Sequence, residues 1–325
     1  MGTGRDNGTA GNATHVNRRR FLTAATVAAV GAQGAPASLA SAAPAHGDRG
    51  SGHGRGRGRI PRERISIQLY TLRDQLAIDL QGTLDALGDI GYRRVEHAGF
   101  VGRTATQFKA ALDAAGLRAT SGHVGIPQPF DAAAWSASLQ DALTLQSRYI
   151  VHPAFGTKFG TGEVVRDSAT WAAFARDLNR AGRMARRVGL RLGYHNHNWE
   201  FFRLTDDPSR TAFDVLAEET DRRYVHFQLD LFWAWRGAHD PVDIVRRLEN
   251  RVRQYHVKDL NQAGSFADPG EGLIDFARIF QTREAEEYIV ERDDAGTPPR
   301  TPADALDTAR VGYEFLANLS LRRRR

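Results

Sequence analysis

The sequence predicts an α/β protein, a single (β/α)8 TIM barrel over residues 65–321. Three observations carry this. Four short apolar runs in the second half end in acid/base or metal-type side chains. They are Leu190–Phe202 (LRLGYHNHNWEFF, with His195, His197 and Glu200), Val225–Asp230, Val252–Asp259 (with His256 and Lys258) and Glu287–Asp294 (with Glu291). Roughly 25 to 40 residues separate one run from the next, the length of a βα repeat. Strand-like and helix-like segments also alternate through eight repeats with no long polar linker between them. In such a barrel the C-terminal strand ends converge on one mouth, where active sites are built.

The elements follow in order. Ile65–Tyr70 alternates as a first strand. Leu76–Ile90 is an amphipathic helix with Leu80, Leu84 and Leu87 on one face, closed by Gly91. Residues 93–96 form the second strand, ending in Glu96. Thr104 caps a helix that Gly116 terminates. Leu117–His123 is strand three, 132–145 a helix, and 148–152 strand four, ending in His152. A long helix over 168–188 is closed by Gly189, and strand five runs 190–196. Helix 211–219, strand 224–230, a helix opened by Pro241, strand 252–258, helix 275–281 and strand 288–291 complete the alternation. The amphipathic segment 302–319 closes the ring.

The chain ends read differently. Asn17-Arg18-Arg19-Arg20-Phe21-Leu22 precedes a mildly apolar, small-residue stretch and an A-x-A site. Residues 1–45 therefore predict a twin-arginine export signal, cleaved near Ala42 or Ala45, and an extracellular or cell-envelope location with no membrane attachment after cleavage. Residues 46–64 are Gly- and Arg-rich and predict a disordered linker. Residues 322–325 are a basic tail. Residues 1–64 hold ten Arg against three acids, so the formal +6 of the chain conceals a barrel of about −5. An acidic body argues against nucleic-acid binding. With no Cys, disulfides and thiolate metal sites are excluded.

The segments QLYTLRD (68–74), GYRRVEHAG (91–99), GLRLGYHNHNWEF (189–201), LDLFWAWRGAHDP (229–241), YHVKD (255–259), GEGLIDF (270–276) and IVERD (289–293) resemble the sugar phosphate isomerase/epimerase family, within the xylose-isomerase-like TIM barrels. The resemblance covers essentially all of 65–320. It implies one divalent metal ion held from four strand ends. Asp230, His256 and Glu291 match three of the family's ligands. The first ligand position falls on His195, where epimerases of the family carry Glu. Trp233 stands where epimerases often have His, and suits stacking on a sugar face. A His/Asp/Glu site suits Mn²⁺, Mg²⁺, Co²⁺, Fe²⁺ or Zn²⁺.

Within that frame Glu291 is the expected general base, and Lys258 the group that stabilises an enediolate or moves a proton. His197 is expected to orient a ligand or bind sugar hydroxyls, with a structural cap as the alternative. Glu96, His123 and His152 end strands two to four and are expected at the rim as substrate contacts, with buried structural roles as the alternative. Glu200 is expected to pair with an Arg of a neighbouring loop, with a contact to a substrate hydroxyl as the alternative. No glycine-rich phosphate cradle is present. The expected activity is metal-dependent isomerisation or epimerisation of an unphosphorylated sugar or keto-sugar. The alternatives are a lyase or dehydratase of keto-sugars or inososes, and a non-catalytic sugar-binding barrel. The partner is a small carbohydrate, and a homo-oligomer is left open.

Overall fold

The computed structural model describes residues 57–158 and 161–322. The expected export signal, the linker up to residue 56 and residues 323–325 lie outside the described residues. Eight parallel strands form the barrel: β1 (Ile65–Gln68), β2 (Arg94–His97), β3 (Arg118–Gly122), β4 (Tyr149–His152), β5 (Arg191–His195), β6 (Val225–Asp230), β7 (Val252–Val257) and β8 (Glu287–Val290). The order around the sheet is β3-β2-β1-β8-β7-β6-β5-β4. A parallel bridge between His123 and Val151 joins its two edges. Strands such as β4, β6 and β8 are buried along their whole length, as expected for a parallel sheet covered by helices outside and filled within.

The outer ring is α1 (Leu80–Ile90), α2 (Ala105–Ala114), α3 (Ala132–Thr144), α4 (Ser168–Arg187), α5 (Ala212–Glu219), α6 (Pro241–Leu248), α7 (Phe276–Thr282) and α8 (Asp304–Asn318). Thr104 and Thr211 each close a reciprocal capping box, and Asp131, Asp167 and Asp240 cap three more helices. Leu84, Phe108, Trp135, Trp171, Phe174 and Phe213 seal the layer between helices and strands. Each such side chain contributes about 1.5–3 kcal/mol through burial. Among the described residues, no helix is long and apolar enough to cross a membrane.

Four features differ from the sequence reading. The helix expected over 76–90 breaks at Asp79, whose extended backbone lets its carboxylate cap Gly82 N–H at 2.9 Å, leaving a short helix Arg73–Ile78 before it. A second short helix, Leu231–Arg236, directly follows β6. The expected linker carries structure from residue 57. Arg57–Arg59 pairs antiparallel with Ser320–Arg322, anchored by buried Ile60 and Leu321, and so takes in the first residue of the expected basic tail. The loop after β7 forms a hairpin, Asp259–Leu260 against Phe266–Ala267. The Asp259 carboxylate fastens that loop by accepting N–H bonds from Leu260, Gly270, Gly272 and Ile274 at 2.9–3.1 Å. A Cβ at Gly272 would stand 2.3 Å from Asp259 Oδ1, so only glycine lets the backbone approach this closely.

Barrel interiors of this kind are commonly filled by Val, Ile and Leu. Here the interior is polar. Gln68, Glu96, Ser121, Gln228, Gln254 and Glu287 are all at 0 % exposure and bonded to one another. Pairing of this kind is what makes buried polar groups tolerable.

Candidate active site at the barrel mouth

Side chains alternate along a strand, so Gln228 and Asp230 share the inward face of β6. Gln254 and His256 share that of β7, and Lys258 continues it just past the strand. The register sets His195 beside Gln228 and Asp230 beside His256. As a result His195, Asp230, His256 and Glu291, from four strand ends, bring one ligand-type atom each within 4.8 Å of the others, all buried. This is the quartet named from the sequence.

Lys258, at 2 % exposure, joins the quartet. Its ammonium lies 3.1 Å from Asp230 Oδ2, 2.7 Å from Glu291 Oε2 and 2.9 Å from Asp293 Oδ1. Burial works against its charge, but Asp230, Asp293 and Glu291 more than offset this and raise its pKa well above the usual lysine value. Lys258 is therefore a cation at neutral pH. Burial pushes Glu291 up, and Lys258 and His256 pull it further down, so it is ionised. Burial raises Asp230, with Lys258 opposing, and raises Asp293 to about 6. His256 sits between two carboxylates, 2.6 Å from Glu291 Oε2 and 2.6 Å from Glu96 Oε1. Burial disfavours its charge, yet Glu291 and Glu96 carry its pKa up to about 10.

The donor set fits a divalent cation. A histidine that ligates metal through one nitrogen donates its other N–H to a fixed acceptor. His256 Nε2 faces Glu96, which leaves Nδ1 toward Glu291 Oε2. His195 Nδ1 faces Gln228 Oε1 at 3.1 Å, which leaves Nε2 toward Asp230 Oδ2 at 3.8 Å. Asp230 Oδ2 is buried and has no well-directed hydrogen bond, although its ion pair with Lys258 is short. Lys258 shares the two carboxylates with this position, so a bound dication and the ammonium would compete for the same negative charge.

The remaining expected residues divide by depth. His123 belongs to the site floor, stacked on His256 with centroids 5.2 Å apart and bonded through Nε2 to Gln228 Oε1 at 2.8 Å. His197 and Trp233 line the mouth. The His197 ring stacks on Trp199 at 4.2 Å and lies 5.5 Å from Trp233, whose ring is 5.8 Å from the Lys258 ammonium. Glu96 and His152, expected at the rim as substrate contacts, do not line it: Glu96 lies beneath it, and His152 packs outward on Phe174 and Tyr194. Glu96 is at 0 % exposure with both oxygens engaged by protein donors. His152 is buried, accepts Ile126 N–H and faces Ala154 C=O; burial lowers its pKa to about 4. Among the described residues, Glu200 pairs with no arginine. It accepts the Tyr194 hydroxyl at 2.7 Å and the His197 N–H at 2.9 Å, and burial raises it to about 8. Trp235, two residues on from Trp233, is 45 % exposed and lies outside the core. The sequence reading passed over Asp293 and Gln228. Period two from Glu291 and Asp230, respectively, points to both.

Residues 84–316 match the xylose isomerase-like TIM barrel family. The chain belongs to this family. An inosose dehydratase of Clostridium perfringens is 26 % identical over 145 residues, covering 39 % of this chain and 47 % of that protein. The chain thus spans about half the length of the curated relatives it matches. A sugar phosphate isomerase/epimerase from Parabacteroides distasonis superposes with TM-score 0.66 at 23 % identity, over 79 % of this chain and 94 % of that one. A D-psicose 3-epimerase from Clostridium cellulolyticum superposes with TM-score 0.59 at 13 % identity, over 78 % and 98 %. At these identities the two structures attest the fold. His195 places an imidazole at the end of strand five, within the quartet.

Proposed function

We propose that this xylose isomerase-like barrel is a divalent-metal-dependent enzyme. In this reading it removes a proton next to the carbonyl of an unphosphorylated keto-sugar or keto-cyclitol. The observation that carries the reading is the convergence of His195, Asp230, His256 and Glu291 around one buried point, with the Lys258 ammonium against two of the same carboxylates. His195 Nε2, Asp230 Oδ2, His256 Nδ1 and Glu291 Oε2 would hold the ion. When bound, it supplies Lewis-acid polarisation of a substrate oxygen and acidifies the neighbouring C–H. The carboxylate of Glu291, ionised at neutral pH, receives that proton. Lys258, fully protonated, stands beside it to neutralise developing negative charge or to give up a proton. Trp233, with His197 and Trp199, offers an aromatic wall for a sugar face.

Two outcomes share this first step. Isomerisation or epimerisation returns a proton to carbon. Elimination expels a neighbouring hydroxyl, which takes a proton from Lys258 and leaves as water, giving an unsaturated ketone. Inversion at carbon needs an acid/base group on each face. The ionisable groups Glu291, Lys258 and Asp293 cluster on one side, and His195 stands where a second carboxylate is required. This arrangement, and the relatives named inosose dehydratase, favour elimination. Export by the twin-arginine route remains part of the proposal and accords with an unphosphorylated substrate.

The test is incubation of Mn²⁺- or Co²⁺-loaded protein with free sugars, 3-keto-glycosides and inososes, followed by NMR. Elimination appears as a vinyl signal, and epimerisation as a new set of ring-proton couplings. A protein that takes up the metal and changes none of the panel would replace the enzymatic reading with a sugar-binding one.

A further inference from the structure

We propose that Glu96 is the positioning residue that sets which nitrogen of each metal-facing histidine carries a proton. The inference rests on the metal site proposed above and concerns a residue one layer beneath it. An ionised carboxylate can only accept hydrogen bonds, so every group facing Glu96 must donate. Oε1 lies 2.6 Å from His256 Nε2, 3.1 Å from His123 Nε2 and 2.8 Å from Gln68 Nε2. Oε2 accepts Ser121 Oγ–H at 2.5 Å and Gln228 Nε2–H at 2.6 Å.

Two consequences follow from this geometry. Nε2 is the His256 nitrogen whose proton Glu96 holds, so Nδ1, which faces Glu291 and the metal position, is the nitrogen left to ligate when a metal ion is bound. The Gln228 amide must point its NH2 at Glu96, which turns its carbonyl oxygen to His195 Nδ1 at 3.1 Å and His123 Nε2 at 2.8 Å. His195 then holds its proton on Nδ1 and presents Nε2. One buried carboxylate thereby fixes the ligating nitrogen of both histidines, one directly and one through Gln228. Neutral Gln at position 96 has one accepting and one donating atom. Whichever way it is turned, an amide N–H faces either the histidine N–H groups or the Gln228 N–H and Ser121 hydroxyl. One of the two settings is then lost.

The experiment compares wild type, Glu96→Gln and Glu287→Gln for Co²⁺ uptake by calorimetry and for the visible Co²⁺ spectrum. Glu287 is the control. It is an equally buried interior carboxylate, bonded to Thr120 and Gln254 and not to either metal-facing histidine. The expected result is a roughly 10- to 100-fold loss of Co²⁺ affinity in Glu96→Gln, with an altered spectrum, and affinity within about threefold of wild type in Glu287→Gln. Glu96→Gln binding Co²⁺ like wild type with the same spectrum, or an equal loss in both variants, overturns the proposal while leaving the metal site standing. Wild type binding no Co²⁺ overturns the metal reading as well. A measurement on Zn²⁺-loaded wild type needs no variant to fold. Histidine ¹⁵N NMR should show His256 protonated on Nε2 and His195 on Nδ1, and the opposite tautomer at either residue overturns the assignment.

Discussion

Replacing Lys258 by Met keeps most of the side chain's volume and removes its charge. In wild type the ammonium is within 3.1 Å of carboxylate oxygens from Asp230, Glu291 and Asp293, and Asp230 is at 0 % exposure. The variant leaves three clustered carboxylates with no facing ammonium. Removing one partner of a buried pair costs about 3–5 kcal/mol, because the surviving charge stays buried and unpaired. For a folded unit of this size each kcal/mol lowers Tm by about 2–4 °C, so the expected drop in chelator is roughly 6–20 °C. The pH dependence has a definite sign. Carboxylates crowded together have raised folded pKa values, so the native state binds more protons than the unfolded one. The variant's deficit should therefore shrink as pH falls from 7 toward 4. Saturating Mn²⁺ should stabilise the variant more than wild type, since the dication no longer faces an ammonium. Calorimetry in EDTA and in Mn²⁺ measures all three effects. A variant melting within about 2 °C of wild type in EDTA would refute the reasoning.

Asp230→Ala should abolish stoichiometric metal uptake and also lower Tm in chelator by a few degrees, because it removes the cap on Trp233 N–H at 2.8 Å and a buried ion-pair partner of Lys258 at 3.1 Å; elemental analysis after gel filtration and calorimetry in EDTA decide the two points. In metal-free protein the folded pKa of His256, about 10, lies above the ordinary 6.5. The stability it contributes is fully present below pH 6.5 and lost as pH rises through 10, so Tm in EDTA should fall over that window and His256→Asn should flatten the slope. Asp259→Ala strands four backbone N–H groups. Amide exchange at Gly270, Gly272 and Ile274 should accelerate, and substrate KM should rise, because Phe266 of that loop packs on Phe232 and Trp233; unchanged exchange would refute the fastening role.

The strands and the metal-type quartet were legible because both depend on local pattern. An apolar run ending in a polar group marks a barrel strand, and four such ends converge by topology alone. Depth was not legible. Glu96, His123 and His152 end neighbouring strands in similar ways, yet Glu96 lies inside the barrel beneath the site, His152 turns outward onto Phe174 and Tyr194, and only His123 reaches the site floor. That difference depends on register and tilt, which no local signal carries. Gln228 was passed over because a glutamine in an apolar strand resembles any buried amide until its partners are known. The pairing of 57–59 with 320–322 joins segments far apart in the sequence and has no signature in either one. The break at Asp79 shows capping chemistry overriding an otherwise continuous apolar stripe. The helix after β6 was missed because LFWAWR directly continues a strand of the same apolar character.

The proposed reaction rests on Glu291 removing a proton next to a substrate carbonyl. The direct measurement is deuterium incorporation from D₂O into an inosose or 3-keto-glycoside that the wild type turns over, with metal content assayed in the same sample. Rapid incorporation at the carbon next to the carbonyl is expected with wild type, and in Glu291→Gln a loss of about 10²- to 10⁴-fold with metal still bound. Incorporation at the wild-type rate in metal-loaded Glu291→Gln would contradict it.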